Sequence, residues 1–278
     1  MSEFRRVIFN GVEQTIAVAR GHAVGRDGRA VPLDSVQHLV PMRVGKVVCV
    51  QFNYRSRLEE VRRQAPPTPA YFWKPPSCLN AHKAAVIRPK GCRHLNYEGE
   101  FAVVVGRTTR NITPQDAPAH IFGYTIANDM ALHDFRDADH GMVKVKGSDT
   151  LGPVGPGVVT DWDFRDKRLV TRVDGNIVQD ANTSELVWNP YYLLADLSRS
   201  ITFETGDMIL TGTPANSGPI EPGSTVSVEV EGLGCLQNTV VESEMPVPGW
   251  ASAETPATQR GLSSGPTAGE PEPGAFVV

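Results

Sequence analysis

Residues 96–106 read Asn-Tyr-Glu-Gly-Glu-Phe-Ala-Val-Val-Val-Gly, an acidic lead that runs directly into five apolar residues. The apolar run is short and rich in β-branched side chains, which predicts a strand over residues 101–105. Glu98 and Glu100 stand two apart at its edge, so extended backbone projects both to the same face.

The same texture continues outward. Short apolar runs predict further strands over residues 46–52, 169–173, 208–211 and 225–231. In the last, Val226, Val228 and Val230 alternate with Ser227, Glu229 and Glu231, giving one buried and one wet face. Turn signals separate the runs: Gly25-Arg26-Asp27-Gly28, residues 153–157, Asp174-Gly175 and Pro222-Gly223. Helices are fewer. One is predicted over residues 56–65, ended by Pro66-Pro67, and one begins at Thr113-Pro114-Gln115-Asp116 with Thr113 as N-cap. A third covers 184–199, with its regular part delayed to Pro190. The pattern is mainly β.

With 40% hydrophobic and 21% charged residues, the 278-residue chain has ample material for a core. A net charge of -4 gives no electrostatic reason to expect nucleic acid or an anionic membrane as partner. No apolar run approaches the roughly 20 residues of a membrane helix, and the first residues lack the apolar stretch of a secretion signal. The expected location is the cytoplasm. Cys49, Cys78, Cys92 and Cys235 form no CxxC pair, which argues against a zinc knuckle or redox dithiol. No GxGxxG, P-loop or internal repeat is present. Three parts are expected: a small N-terminal β segment over 1–45, a catalytic domain over 46–245, and a disordered Pro/Gly-rich tail over 246–278.

Two like charges on one strand face repel unless a positive group lies near them, and a hard divalent cation with oxygen ligands would serve. Taken alone, Glu98 and Glu100 read more readily as a solvated strand face. Asp129 strengthens the metal reading, because it follows the strand-like run Gly123-Tyr124-Thr125-Ile126-Ala127-Asn128, where an unpaired charge is costly.

Six blocks then resemble the fumarylacetoacetate hydrolase superfamily, in its order and with compatible spacing. They are Asn53-Tyr54, Phe72-Trp73-Lys74-Pro75, Tyr97-Glu98-Gly99-Glu100, Gly123-Tyr124 through Asn128-Asp129, Lys146-Gly147-Ser148-Asp149-Thr150 with Gly155-Pro156, and Gly206-Asp207 through Thr211-Gly212-Thr213-Pro214. The resemblance implies an α+β, mostly β fold, a rolled mixed sheet with few short helices, assembled as a homodimer. It implies that Glu98, Glu100 and Asp129 hold one divalent cation, Mg2+ or else Mn2+ or Ca2+, which clamps a 2-oxo or enol carboxylate. By the same resemblance Lys146 lies near the enolate, Lys74 on the substrate side, and Thr213 at the substrate carboxylate. Each has a plainer reading as well: a surface lysine, a snorkelling lysine and a turn residue, respectively.

Two departures from the family pattern bear on reaction type. Hydrolytic members carry a histidine and glutamate that activate water; here Arg57 stands at the histidine position, with Glu60 kept. Arginine is no general base at neutral pH. His133 replaces a common arginine and offers an acid/base group. The resemblance therefore points to the branch that isomerises and decarboxylates 2-hydroxymuconate-type and 2-oxo-ene-dioate intermediates of aromatic catabolism, through a metal-stabilised enolate. Its substrates are small di- or tricarboxylates, whose distal carboxylate Arg55, Arg57 and Lys74 are expected to pair. Hydrolysis of an acylpyruvate or fumarylpyruvate, and a non-catalytic metal-binding protein, are the alternatives.

Overall fold

In the computed structural model, which describes residues 2–19, 22–25 and 27–246, the acidic lead feeds a central strand, Gly99–Val105, whose seven residues are all buried. Phe101, Val103 and Val105 pack on one side with Val48, Tyr124 and Trp162. Ala102 and Val104 pack on the other side with Val47, Cys49 and Met208. A strand covered on both faces has no use for polar alternation, which is why FAVVV is continuous.

This strand lies in an eleven-stranded mixed sheet. The main path runs His22–Val24, Val12–Ala19, Glu3–Phe9, Gly152–Val159, Ile121–Asn128, Gly99–Val105, Met208–Leu210, Val47–Gln51 and Ala70–Lys74. Five strands form the second sheet: Asn176–Asn182, Arg168–Val173, Thr225–Val230, Gly234–Pro246 and Val86–Lys90. Leu169, Val228, Val230 and Leu236 of the second sheet share one apolar cluster with Phe101 and Val103 of the first, so the two sheets pack across the core. Three short α-helices complete the described residues: α1 (Arg55–Glu60), α2 (Val143–Gly147) and α3 (Pro190–Ser200). The architecture is α+β and mostly β, as the sequence implied.

The N-terminal strands extend the large sheet, with Glu3 opposite Val159 and Phe4 opposite Val158. Val7, Ile16, Val18, Ala23 and Val31 give them an apolar cluster of their own. The tail expected over 246–278 lies outside the described residues beyond position 246.

Several local expectations need correction. The first helix stops at Glu60, well short of the prolines. Arg62 takes a positive φ of 55°, and the amides of Arg62 and Arg63 return to the carbonyls of Glu59 and Leu58. That is a Schellman ending made without glycine. No α-helix starts at Thr113. Its amide and hydroxyl both donate to Asp116 Oδ2, at 3.1 and 2.7 Å, which closes a turn before a 3-10 helix over Ala117–His120. Residues 153–157, read as a turn, belong instead to the buried strand Gly152–Val159. Gly157 is there for close approach: a Cβ would meet Glu3 Oε1 at 2.7 Å and the Phe4 carbonyl oxygen at 2.8 Å.

Gly99 is the other such position. A Cβ on it would lie 2.1 Å from Thr171 Oγ1 on the second sheet, so only glycine lets the two sheets cross between the two glutamates. We expect Gly99→Ala to destabilise the fold by about 1–3 kcal/mol, the usual cost of overpacking. Adding Thr171→Ala should recover part of the loss in urea unfolding; a Gly99→Ala protein of wild-type stability would contradict this packing.

Candidate metal centre and cavity

Antiparallel pairing builds the acidic cluster. Gly99 stands opposite Asn128, which brings Glu98 and Glu100 alongside Asp129 at one end of two neighbouring strands. The Asp129 amide donates to the Glu98 carbonyl at 2.9 Å, and Asn128 Oδ1 accepts from the Glu98 amide at 2.8 Å. All three carboxylates are buried, and one oxygen from each lies within 4.8 Å of the others.

Two lysines meet this charge. Lys146, on α2, donates to Glu98 Oε2 at 2.7 Å, to the Asp129 carbonyl at 2.8 Å and to Asp129 Oδ2 at 3.0 Å. Burial alone would lower its pKa, but Asp129 and Glu98 outweigh burial and raise it, so the ammonium stays charged. Lys74, at the end of the Ala70–Lys74 strand, sits 2.8 Å from Asp129 Oδ1 and donates to the Lys146 carbonyl. Burial opposes its charge as well, and Asp129 again prevails. Glu98 loses solvation on burial, yet Lys146 and His133 hold it at about 2.

Glu100 is the exception. Burial first, then Asp129 and Glu98, push its carboxyl well above the ordinary glutamate range. Its hydrogen bond is from the Gly212 amide, at 2.7 Å. Asp129 Oδ1 touches the Lys74 charge but has no aligned hydrogen-bond donor. The two ammonium groups pair with Asp129 and Glu98, and Glu100 is the carboxyl left without a counter-charge. An all-oxygen donor set with that deficit fits a hard divalent cation.

The cluster floors a cavity of about 250 Å3, walled by Val50, Phe52, Phe72 and Val145. Of the residues selected from sequence, Arg57, His133, Lys146 and Thr213 line it with the carboxylates. His133 Nε2 lies 3.8 Å from Glu98 Oε1. Thr213 Oγ1 faces Gln179 Nε2 at 3.0 Å. Arg57 pairs with Glu60, whose other oxygen accepts from the Asn216 amide at 3.0 Å, tying α1 to the loop that follows Thr213.

Arg55 and Lys74 do not reach the cavity. Arg55 donates to the Ser184 carbonyl at 3.0 Å on the exposed side of α1. Lys74, expected beside the substrate, is 1% exposed beneath Asp129. Its strand is paired to Val47–Gln51, which directs the side chain inward onto a carboxylate rather than out to water. Arg136 and His140 also line the cavity and were missed from sequence. Arg136 makes no side-chain hydrogen bond or ion pair among the described residues. Its spacing of three from His133, across a 3-10 turn over His133–Phe135, was the available signal.

This arrangement joins three clustered carboxylates, a fixed ammonium, an imidazole and guanidinium side chains around one small cavity. The fumarylacetoacetate (FAA) hydrolase C-terminal family matches residues 46–241, which include every residue of that site. The 5-carboxymethyl-2-hydroxymuconate delta-isomerase structure from Mycobacterium smegmatis superposes with a TM-score of 0.81 at 35% identity, over 87% of this chain and 99% of that one. The 4-hydroxyphenylacetate degradation bifunctional isomerase/decarboxylase of Escherichia coli is 34% identical over 209 residues, 74% of this chain and 49% of the relative, so the chain spans about half of that protein. Human mitochondrial oxaloacetate tautomerase FAHD2A is 34% identical over 242 residues, 82% of this chain and 77% of the relative. On the match across its whole catalytic region and the carboxylate centre that region builds, the chain belongs to the fumarylacetoacetate hydrolase family.

Proposed function

We propose that the chain is a divalent-cation-dependent isomerase/decarboxylase acting on a 2-hydroxymuconate-type or 2-oxo-ene-dioate compound of aromatic breakdown. The observation that carries this reading is Arg57, paired with Glu60, standing where a water-activating histidine would be needed, beside a cavity floored by three buried carboxylates. Isomerisation and decarboxylation move a proton to or from an enolisable carbon and need no attacking water. The cation, held by Glu98, Glu100 and Asp129, supplies Lewis-acid stabilisation of developing enolate charge.

The chain's own groups take the remaining roles. Lys146 has three acceptors around its ammonium, so it acts as a fixed positive charge and not as a base. His133 is the proton-transfer group, because its imidazole borders the cavity 3.8 Å from Glu98 and can give or take a proton there. Thr213 donates to the substrate carboxylate. Arg57, and Arg136 in place of Arg55 and Lys74, receive the distal carboxylate, a pairing that guanidinium geometry favours. The relative named as an oxaloacetate tautomerase makes oxaloacetate, itself a 2-oxo dicarboxylate, a substrate to include in the same assays.

Ultraviolet assay with Mg2+ against hydroxymuconate-type dienols, oxaloacetate and acylpyruvates tests the reading, since conjugated enols absorb strongly. Turnover of the dienols without pyruvate release is expected. Efficient acylpyruvate cleavage with the dienols untouched would instead make the protein a C–C bond hydrolase. Arg57→His is expected to introduce slow pyruvate release, detected with a coupled lactate dehydrogenase assay, because Glu60 is already placed beside that position.

The metal assignment has its own test. Glu100→Gln should remove Mg2+ binding in calorimetry and lower turnover by about a hundredfold or more. The same substitution should stabilise the metal-free fold. A carboxyl whose folded-state pKa is raised favours folding below its unfolded value and loses that contribution as pH rises toward the folded value. Metal-free wild type should therefore lose thermal stability as pH rises above the ordinary glutamate range, through this group, and Glu100→Gln should lose less. Unchanged Mg2+ binding in Glu100→Gln would refute the site.

A further inference from the structure

Gln179 lies on the second sheet, behind the cavity and 1% exposed. Its Oε1 accepts from the Gly99 amide at 3.0 Å and from Thr171 Oγ1 at 2.8 Å. Its Nε2 faces Thr213 Oγ1 at 3.0 Å, and the Pro214 and Ala215 carbonyls at 3.1 Å each. The partners fix which way the amide points. The Gly99 N–H can only donate, and the two carbonyls can only accept. Nε2 must therefore face the Thr213 loop, and the Thr213 hydroxyl must act toward it as an acceptor.

A hydroxyl that accepts from Gln179 keeps its own hydrogen for another group. Among the described residues no second partner takes it, and Thr213 borders the cavity beside the three carboxylates. We propose that Gln179 is a positioning residue for ligand binding, which makes the Thr213 hydroxyl a donor into the cavity for a carboxylate oxygen of a 2-oxo acid. The same amide holds the Gly99 backbone between Glu98 and Glu100. One side chain thus registers the ligand's donor against the cation's carboxylates. This inference rests on the reading above, that the cavity takes a 2-oxo carboxylate.

The test uses the whole chain loaded with Mn2+ and pyruvate as the probe, followed by titration calorimetry. Gln179→Glu keeps the shape but carries at most one hydrogen, which the Pro214 or Ala215 carbonyl takes, so the Thr213 hydroxyl loses its donor and turns toward a carboxyl oxygen. Gln179→Met removes the hydrogen bonds altogether. Each should weaken pyruvate binding about tenfold or more, the range of one hydrogen bond to a charged group, and weaken Mn2+ binding by much less, because Glu98, Glu100 and Asp129 all remain. Thr213→Val should weaken pyruvate binding to a similar degree, and Gln179→Met added to it should cost little more, because the two residues act in series. Wild-type pyruvate affinity in either foldable Gln179 variant, or a full additive loss in the double variant, would overturn the proposal while Thr213 kept its role. Failure of Mn2+-loaded wild type to bind pyruvate at all would overturn the functional reading itself, and this inference with it.

Discussion

Burial of five ionisable side chains in one place governs the rest of this structure. Glu98, Glu100, Asp129, Lys74 and Lys146 are each 8% exposed or less. Stripping ions of water costs several kcal/mol apiece unless opposite charges and hydrogen bonds stand ready. Readiness requires precise backbone, and the fold supplies it from four segments. Gly99–Val105 and Ile121–Asn128 carry the carboxylates, Ala70–Lys74 delivers one lysine from the sheet's edge, and α2 delivers the other. Removing either lysine would leave a carboxylate buried without its counter-charge, so both ammonium groups are part of the fold as much as of the site.

Those elements were unequally legible in the sequence. The strands at 47–51, 99–105, 168–173, 208–210 and 225–230 follow from local pattern, because apolar composition and burial agree there. Gly152–Val159 was read as a turn because glycine and proline ordinarily mark turns; here glycine answers a backbone crossing within 3 Å, which only the tertiary structure contains. Lys74 failed for a related reason. A lysine after aromatic residues suits both a snorkelling position and a buried counter-ion, and the choice depends on Asp129, more than fifty residues away. The carboxylate triad was legible through the family resemblance, helped by the cost of an unpaired charge at Asp129 after an apolar run; Glu98 and Glu100 alone read as a solvated face. Gln179 was not legible, since nothing in a strand glutamine marks the cavity, and Arg136 offered only its spacing of three from His133.

The pairing of Arg57 with Glu60 bears on chemistry through what it occupies. Glu60 already spends one oxygen on Arg57 and the other on the Asn216 amide. A carboxylate so committed orients a helix against a loop and has little capacity left to polarise water. In the proposed reading, proton transfer is assigned instead to His133, which also lines the cavity and stands beside Glu98.

Charge along the cavity gives the proposed reading a direction. The three clustered carboxylates lie together, whereas Arg57, Arg63 and Arg136, with Asp139 the one acid among them, lie among the lining residues outside that cluster. With a divalent cation on the floor, both regions attract anions, and apolar Phe52, Phe72 and Val145 lie among the lining residues too. A molecule with one acid group suits only one of these regions. A dicarboxylate joined by an unsaturated carbon chain suits both, its enolisable end over the carboxylates and its distal acid at Arg136. On the proposed reading, recognition of the far end would orient the reactive carbon toward His133 and so determine where the proton moves.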